Sequence, residues 1–439
     1  MRHISFKSLT IFALGTSLAF ISCSKDEDDE NVNPATTQNG NGSSFSLNSQ
    51  VDALGTVSLP NNFSVPNVYD VTQGGAFYPG AYKGQKRRVA QLQEIADSSR
   101  NEPINWDIRA ALENSNRNSF QSADAQGDSD LRTKIDELNY DNGNTAIADR
   151  FAELADSLVM SSKNYATTAS NGVAGMITTG SKRRHVSAKG LEYIQMLEKG
   201  LYGALLYDQM VDDYLSASQS GDQNPGGNHE GDPDYSTEGT ARQHAFDEAF
   251  GYLAVDPLTY PNASNSSNGD GKFIANYTFD FSDEIEAEFG VNPAQKLMDA
   301  FIFGRSVLKA GQGLGPSGEQ IDESHLNAAI ADIKLYTEIG LACAAYHYLN
   351  DAIKDVTDED KVHHLSEALA FIYALSFNSE GLLSESQAHN ALIELGWSST
   401  DPSLSGVYEV NLWEVSDTQM ESAKSILNQA YPGFGNIDL

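Results

Sequence analysis

The sequence predicts an all-α protein, a helical bundle carried behind a long N-terminal tether. Three observations lead there. Apolar residues recur at three- and four-residue steps in most segments after residue 85. Helix-start signals stand before such runs, with Thr240 and Gln243 in one and Ser416 and Gln419 in another. No long run alternates apolar and polar residues as a strand does. The 439 residues suffice for one large or two ordinary domains. The expected helical domain is 65–439, with 65–255 and 290–439 as candidate related halves.

Charge narrows the partners. Against 61 Asp and Glu stand 28 Lys and Arg, a net charge of -33. Such a surface repels nucleic acid and anionic headgroups. It suits basic proteins and cations. Cys23 lies at a processing signal and Cys343 in an apolar helix, so no disulfide is expected.

Residues 1–22 read as a signal peptide. Arg2, His3 and Lys7 begin it, and the apolar run from Leu9 to Ile21 is too short to span a membrane. Phe20-Ile21-Ser22-Cys23 resembles a lipobox, with Phe20 where Leu is usual, and implies lipidation of Cys23. The acids Asp26 to Glu30 that follow are similar to an export signal for the cell surface. Residues 23–64 then read as lipidated cysteine and flexible linker, rich in Asn, Gly, Ser and Thr. About forty residues of such coil give a mean reach of roughly 35 Å.

The folded part opens on an extended aromatic segment, Val65 to Lys83, expected to lie across the bundle. Val89, Leu92 and Ala96 mark a first helix, and a short one around Trp106 follows. Ala123 to Asp130 lacks the EF-hand spacing and reads as a solvated loop. Ile147, Phe151, Leu154 and Leu158 give a helix started near Asn144 or Thr145. Gly172, Gly175 and Gly180 then break the chain.

From Gly190 to Leu215 one long helix is expected. Ile194, Leu197, Leu201, Ala204, Val211 and Leu215 form its apolar stripe, and the missing step falls on Asp208. A carboxylate aimed into a core must find a partner. After an acidic, glycine-rich loop from Ser216 to Gly239, the helix begun at Thr240 offers His244, Asp247 and Glu248. These residue types suit a transition metal, and bundle cores hold such sites. The favoured reading of the same cluster is a buried network, with His244 and Asp208 or Arg305 satisfying each other. Glu192 lies roughly 24 Å along the helix from Asp208, too far to share that site.

Asn292-Pro293 starts another helix, with Leu297, Phe301, Gly304 and Leu308 on its buried face. Gly313 to Gly318 spells GxGxxG after a helix rather than a strand, which excludes a dinucleotide fingerprint. Ser324 opens the longest C-terminal helix, whose Gly340, Ala342, Ala344 and Ala345 permit close packing. Gly200 to Tyr207 echoes Gly340 to Tyr346, each before an acid. Further helices run through Val362 to Ile372, Ala391 to Leu395 and Ser416 to Ala430.

Four blocks carry a resemblance: Tyr82-x-Gly84-Gln85-x-x-Arg88; Gly190-x-Glu192-Tyr193-x-Gln195; Lys199-Gly200-Leu201-x-Gly203-Ala204-x-x-Tyr207-Asp208-Gln209; and His244-x-x-Asp247-Glu248-Ala249-Phe250-Gly251-Tyr252. The chain resembles a family of Gram-negative outer-membrane lipoproteins of unknown function, similar in style to imelysin-like proteins. The resemblance implies a helical, outer-membrane or periplasmic protein linked to iron uptake. The imelysin mark is His-x-x-Glu, and here the matching spacing is His244-x-x-Asp247, with Glu248 one further on.

The expected function is an outer-membrane or surface-exposed lipoprotein, held to the lipid bilayer by acylated Cys23. It would bind a nutrient, iron or an iron complex first, and hand it to an outer-membrane transporter. Ligand residues would be His244, Asp247, Glu248 and Asp208, with Arg305 as structural partner. The cofactor that suits those residues is iron or another divalent metal. A metallohydrolase with Glu248 as base is the weaker alternative, because no His-Glu-x-x-His, Gly-x-Ser-x-Gly or paired-cysteine motif occurs. A glycan binder using Trp397 and Trp413 is another alternative, though core packing suits both rings. An interaction protein without a ligand is the last.

Overall fold

The computed structural model describes residues 53–54, 65–69, 72–73, 76–77, 81–114, 119–127, 129–136, 146–221, 240–262, 269–310, 323–437 and 439. The signal, the lipobox, most of the linker, most of the acidic loop and the GxGxxG stretch lie outside them. The helices are α1 (Lys83–Ser98), α2 (Ile108–Asn114), α3 (Leu131–Asp136), α4 (Ile147–Ser162), α5 (Tyr193–Leu201), α6 (Ala241–Leu253) and α7 (Ile274–Asp280). Then come α8 (Ser282–Phe289), α9 (Pro293–Ala310), α10 (Glu323–Lys354), α11 (Asp358–Leu375), α12 (Glu385–Glu394) and α13 (Asp417–Ala430). The helical class is therefore as the sequence predicts. No helix among the described residues is long and apolar enough to cross a membrane.

Three segments form the centre. Residues 194–211, 335–349 and 365–378 are each buried without a break. A segment apolar on every side belongs inside a large core. The helix α11 lies against both α10 and α5, and α10 also packs on α9 and α7. Each Leu or Phe fully withdrawn from water there contributes about 1.5–3 kcal/mol. Trp397 is part of this core, stacked on Tyr373 with ring centroids 5.6 Å apart. Trp413 is half-buried against it.

The long helix expected from Gly190 is a different object. It is α-helical only from Tyr193 to Leu201, then continues as two π-helical turns, Tyr202–Tyr207 and Gln209–Tyr214. The Asp208 N–H donates to Gly203 O, and the Leu215 N–H to Met210 O, each five residues back. Gly203 explains part of this path. A Cβ there would stand 2.6 Å from Ala374 Cα on α11, so only glycine lets the two backbones meet.

A hairpin replaces the expected break before that helix. Strands β3 (Gly175–Thr179) and β4 (Lys182–Val186) pair antiparallel, with Thr179 opposite Lys182. Gly180-Ser181 between a β-branched run and a second short run is the local signal for such a turn. A smaller hairpin joins β1 (Thr72–Gln73) to β2 (Ala76–Phe77).

Smaller differences have local causes. The helix α4 starts at Ile147, and its cap residue Ala146 makes no side-chain bond; Asn144 and Thr145 lie outside the described residues. The loop 123–130 is solvated on one side and packed on the other: Ala123, Asp124 and Gln126 are exposed, while Ala125 is buried and Gln91 Nε2 donates to Ala125 O and Ser129 O at 3.0 Å. The segment expected as linker is pinned within its length. The Ala53 and Leu54 N–H groups donate to the buried Asp332 carboxylate of α10 at 2.6 and 2.9 Å.

Candidate functional site

The start of α6 sets the geometry of the predicted ligand residues. Thr240 Oγ1 accepts the Gln243 N–H, and Gln243 Oε1 accepts the Thr240 N–H, both at 3.3 Å. Gln243 also donates to Leu308 O at 3.0 Å, tying the cap to α9. With the phase fixed, His244 and Glu248 share one face and Asp247 another.

Asp247 is fully buried and accepts three hydrogen bonds. Arg305 Nε and Nη2 donate to it at 2.8 and 3.2 Å, and the Tyr69 hydroxyl at 2.6 Å. The Tyr69 ring stacks on Phe250, centroids 3.7 Å apart. Burial and the Asp247 charge push the Tyr69 phenol well up. The aromatic segment thus lies across the bundle at Tyr69. Arg305, expected beside His244 or Asp208, serves Asp247 instead.

His244 and Glu248 remain reachable from solvent, 33% and 22% exposed at the side chain, with Nε2 3.6 Å from the carboxylate. Gln85 Nε2 donates to Glu248 at 2.7 Å and lies 3.4 Å from the Tyr214 hydroxyl. Burial raises the Glu248 carboxyl, while the His244 charge and the Gln85 bond pull against it. Gly251 permits this meeting, since a Cβ would lie 2.7 Å from Tyr82 Cβ and 2.8 Å from Gln85 Cβ. Two of the sequence blocks, Tyr82–Arg88 and His244–Tyr252, are therefore one contact between α1 and α6.

Asp208 is buried on the π-helical stretch, 3.5 Å from Gln209 Nε2. Among the described residues no group of three or more His, Cys, Asp or Glu side chains is spaced to hold a metal ion. The structure brings His244 and Glu248 together, turns Asp247 to Arg305, and places no three of the four predicted residues in one ligand set.

A second polar centre escaped the sequence reading. Glu192 accepts from His363 Nδ1 at 2.8 Å and lies 3.7 Å from Arg184. His363 Nε2 is 3.4 Å from Glu367, and Glu367 is 3.2 Å from the Lys199 ammonium. Lys199 also lies 3.5 Å from Glu198 and donates to Gln195 Oε1. Glu198 accepts from the Tyr202 hydroxyl at 2.9 Å and meets Arg100 at 3.4 Å. Glu192, Glu198, Glu367, Lys199 and His363 are all buried. Burial works to raise Glu192, yet Arg184 and His363 outweigh it and leave its carboxyl below the usual range. Burial is likewise overcome at Glu198, chiefly by Lys199 and Arg100. The network joins β4, the turn that follows α1, α5 and α11. The letters His-x-x-Glu, sought at His244, occur in it at His364-Leu365-Ser366-Glu367.

His364 adds a pH-dependent tie beside the network. Its Nδ1 lies 2.8 Å from Asp355. Burial disfavours its charge, but the bond and charge of Asp355 raise it above the ordinary histidine value. A raised histidine stabilises fully below its unfolded pKa, and the contribution fades as pH rises through the folded value. Chemical denaturation should show wild type exceeding His364→Gln in stability by more at about pH 6 than at about pH 9. An equal or larger gap at the higher pH would contradict the assignment.

An opening lies on the other side of the α1–α6 crossing. It is a cleft of 960 Å³ between the first turns of α1, the end of α6 and the segments 254–258 and 270–272. Lys83, Lys86, Arg87 and Lys272 line it, with Phe250 and Gly251 at its back. Ala254 (φ 61°), Asp270 (φ 64°) and Phe273 (φ 53°) are the non-glycine residues with positive φ among those described. The first two line the cleft and the third follows Lys272. Such conformations cost about 1–3 kcal/mol each and persist only when the surroundings enforce them. Here the Asp256 N–H donates to Asp270 O at 3.0 Å and the Lys272 N–H to Ala254 O at 3.1 Å. A smaller cavity of 460 Å³ lies beyond Pro257 and Leu258, lined also by Leu54 and Phe303.

A family model described as a domain of unknown function, DUF4856, matches residues 70–395. No curated protein and no solved structure matches the chain.

Proposed function

We propose that this chain, which belongs to the DUF4856 family, is a lipid-anchored outer-membrane binding protein that takes an iron complex into the α1–α6 cleft and passes it to a transporter. The observation that carries the reading is the cleft itself. It has the size of a small-molecule site, and a wall held in costly backbone conformations. A bare ion needs several donors converging on one point. The described residues offer no such set of three, which favours a chelate that brings its own donors. Iron is suggested by the resemblance of the four sequence blocks, two of which build the crossing beside the cleft. The lipid anchor rests on Phe20 to Cys23, and the surface address on the acids behind them.

Ferric citrate titrated into the full-length chain in detergent tests the reading. Ala90 lines the cleft on α1, and Ala90→Trp would fill it. The chelate should bind wild type and lose about tenfold or more in affinity with Ala90→Trp. Equal affinity for both proteins, or binding to neither, would overturn it.

A further inference from the structure

On the reading of the cleft as the ligand site, we propose that its ligand is an oxyanion, carboxylate or phosphate, seated on Lys83 and Lys86. The charge balance of the cleft departs from that of the chain. Four cations and three carboxylates line it, the latter being Asp124, Asp256 and Asp270. The whole chain carries 28 basic against 61 acidic residues, whereas in this cleft the bases outnumber the acids.

The basic residues are also unevenly engaged. Arg87 is committed to the 123–130 loop, donating to Ser129 Oγ at 3.0 Å. Among the described residues neither Lys83 nor Lys86 forms an ion pair with a carboxylate. The Lys86 ammonium rests 4.5 Å over the Tyr82 ring. Asp256, across the cleft, acts on Lys86 only at a distance, and burial lowers the Lys86 ammonium despite it. Two exposed lysines one turn apart repel each other. They also stand in the opening turns of α1, which carries no acid in its first turn, where the helix dipole disfavours a cation. An oxyanion in the cleft relieves both penalties, with charge-assisted hydrogen bonds from the two ammonium groups. A polycarboxylate chelate carries that chemistry.

Citrate, pyrophosphate and the neutral trisaccharide maltotriose would each be titrated into the full-length chain, without iron, by calorimetry. The two anions should bind, more weakly as salt rises, and maltotriose should not. Lys83→Gln with Lys86→Gln should weaken both anions about tenfold or more while leaving the circular dichroism unchanged. Anion binding undiminished in that double variant, or no anion binding to wild type, would overturn the proposal. Ferric citrate separates it from the broader reading. Chelate binding lost with Ala90→Trp but kept by the lysine double variant leaves the cleft as the site and removes the oxyanion seat. Citrate binding lost with the double variant, while ferric citrate ignores Ala90→Trp, keeps the seat and removes the iron-complex reading.

Discussion

Asp247→Ala should destabilise the protein by about 3–5 kcal/mol, measured by urea unfolding at pH 7. The reason is the company it leaves behind. Arg305 is among the most deeply buried large side chains, and its Nε and Nη2 lose their carboxylate 2.8 and 3.2 Å away. The Tyr69 hydroxyl loses its acceptor as well. A buried charge without its partner is far more costly than the intact pair is favourable. Asp247→Ala combined with Arg305→Met should therefore recover a large part of the loss. A single-variant loss below about 1 kcal/mol would mean that water reaches the guanidinium.

The second large effect belongs to Lys199. Lys199→Met should also lose about 3–5 kcal/mol, because the buried Glu198 and Glu367 would lose the cation they share. This variant has an acid signature too. Glu192 and Glu198 are held below the usual carboxyl range, so their stabilisation is present above the unfolded value and is lost as pH falls through the folded one. Lys199 helps to hold both down. Without it their folded values rise, and the acid-unfolding midpoint followed by circular dichroism should move to higher pH. A midpoint that stays or falls would show that Arg184, His363 and Arg100 carry the network without the lysine.

Much of the architecture was legible because it is local. The capping boxes at Thr240 and Ser416 form as read, and Pro293 begins α9. Asp208 is buried, as a break in an apolar stripe requires. The candidate site was less legible, since faces matter more than spacing. His244, Asp247 and Glu248 look like one cluster along the chain, but α6 divides them between α1 and Arg305. The network around Lys199 depends on contacts between residues as far apart as Glu192 and His363. Val362, Leu365, Leu369 and Ile372 give α11 an apolar face, and that spacing says nothing of what covers His363 and Glu367. In fact α11 is enclosed on every side from Leu365 onward, and His363 and Glu367 are both buried in protein. The β3–β4 hairpin was readable at Gly180-Ser181, and three nearby glycines drew attention to a break instead.

The two wide turns after Leu201 set the aim of whatever follows them. Each accommodates one residue more than an α turn, and each residue advances a helix by about 100°. Two successive insertions therefore turn the downstream side chains by about 200° from where an uninterrupted α-helix would send them. The Asp212 carboxylate, inside the second of these turns, receives the Ser379 N–H at 2.7 Å. Removing one residue between Tyr202 and Tyr214 would undo half of that rotation, so this stretch should tolerate substitutions better than changes in its length.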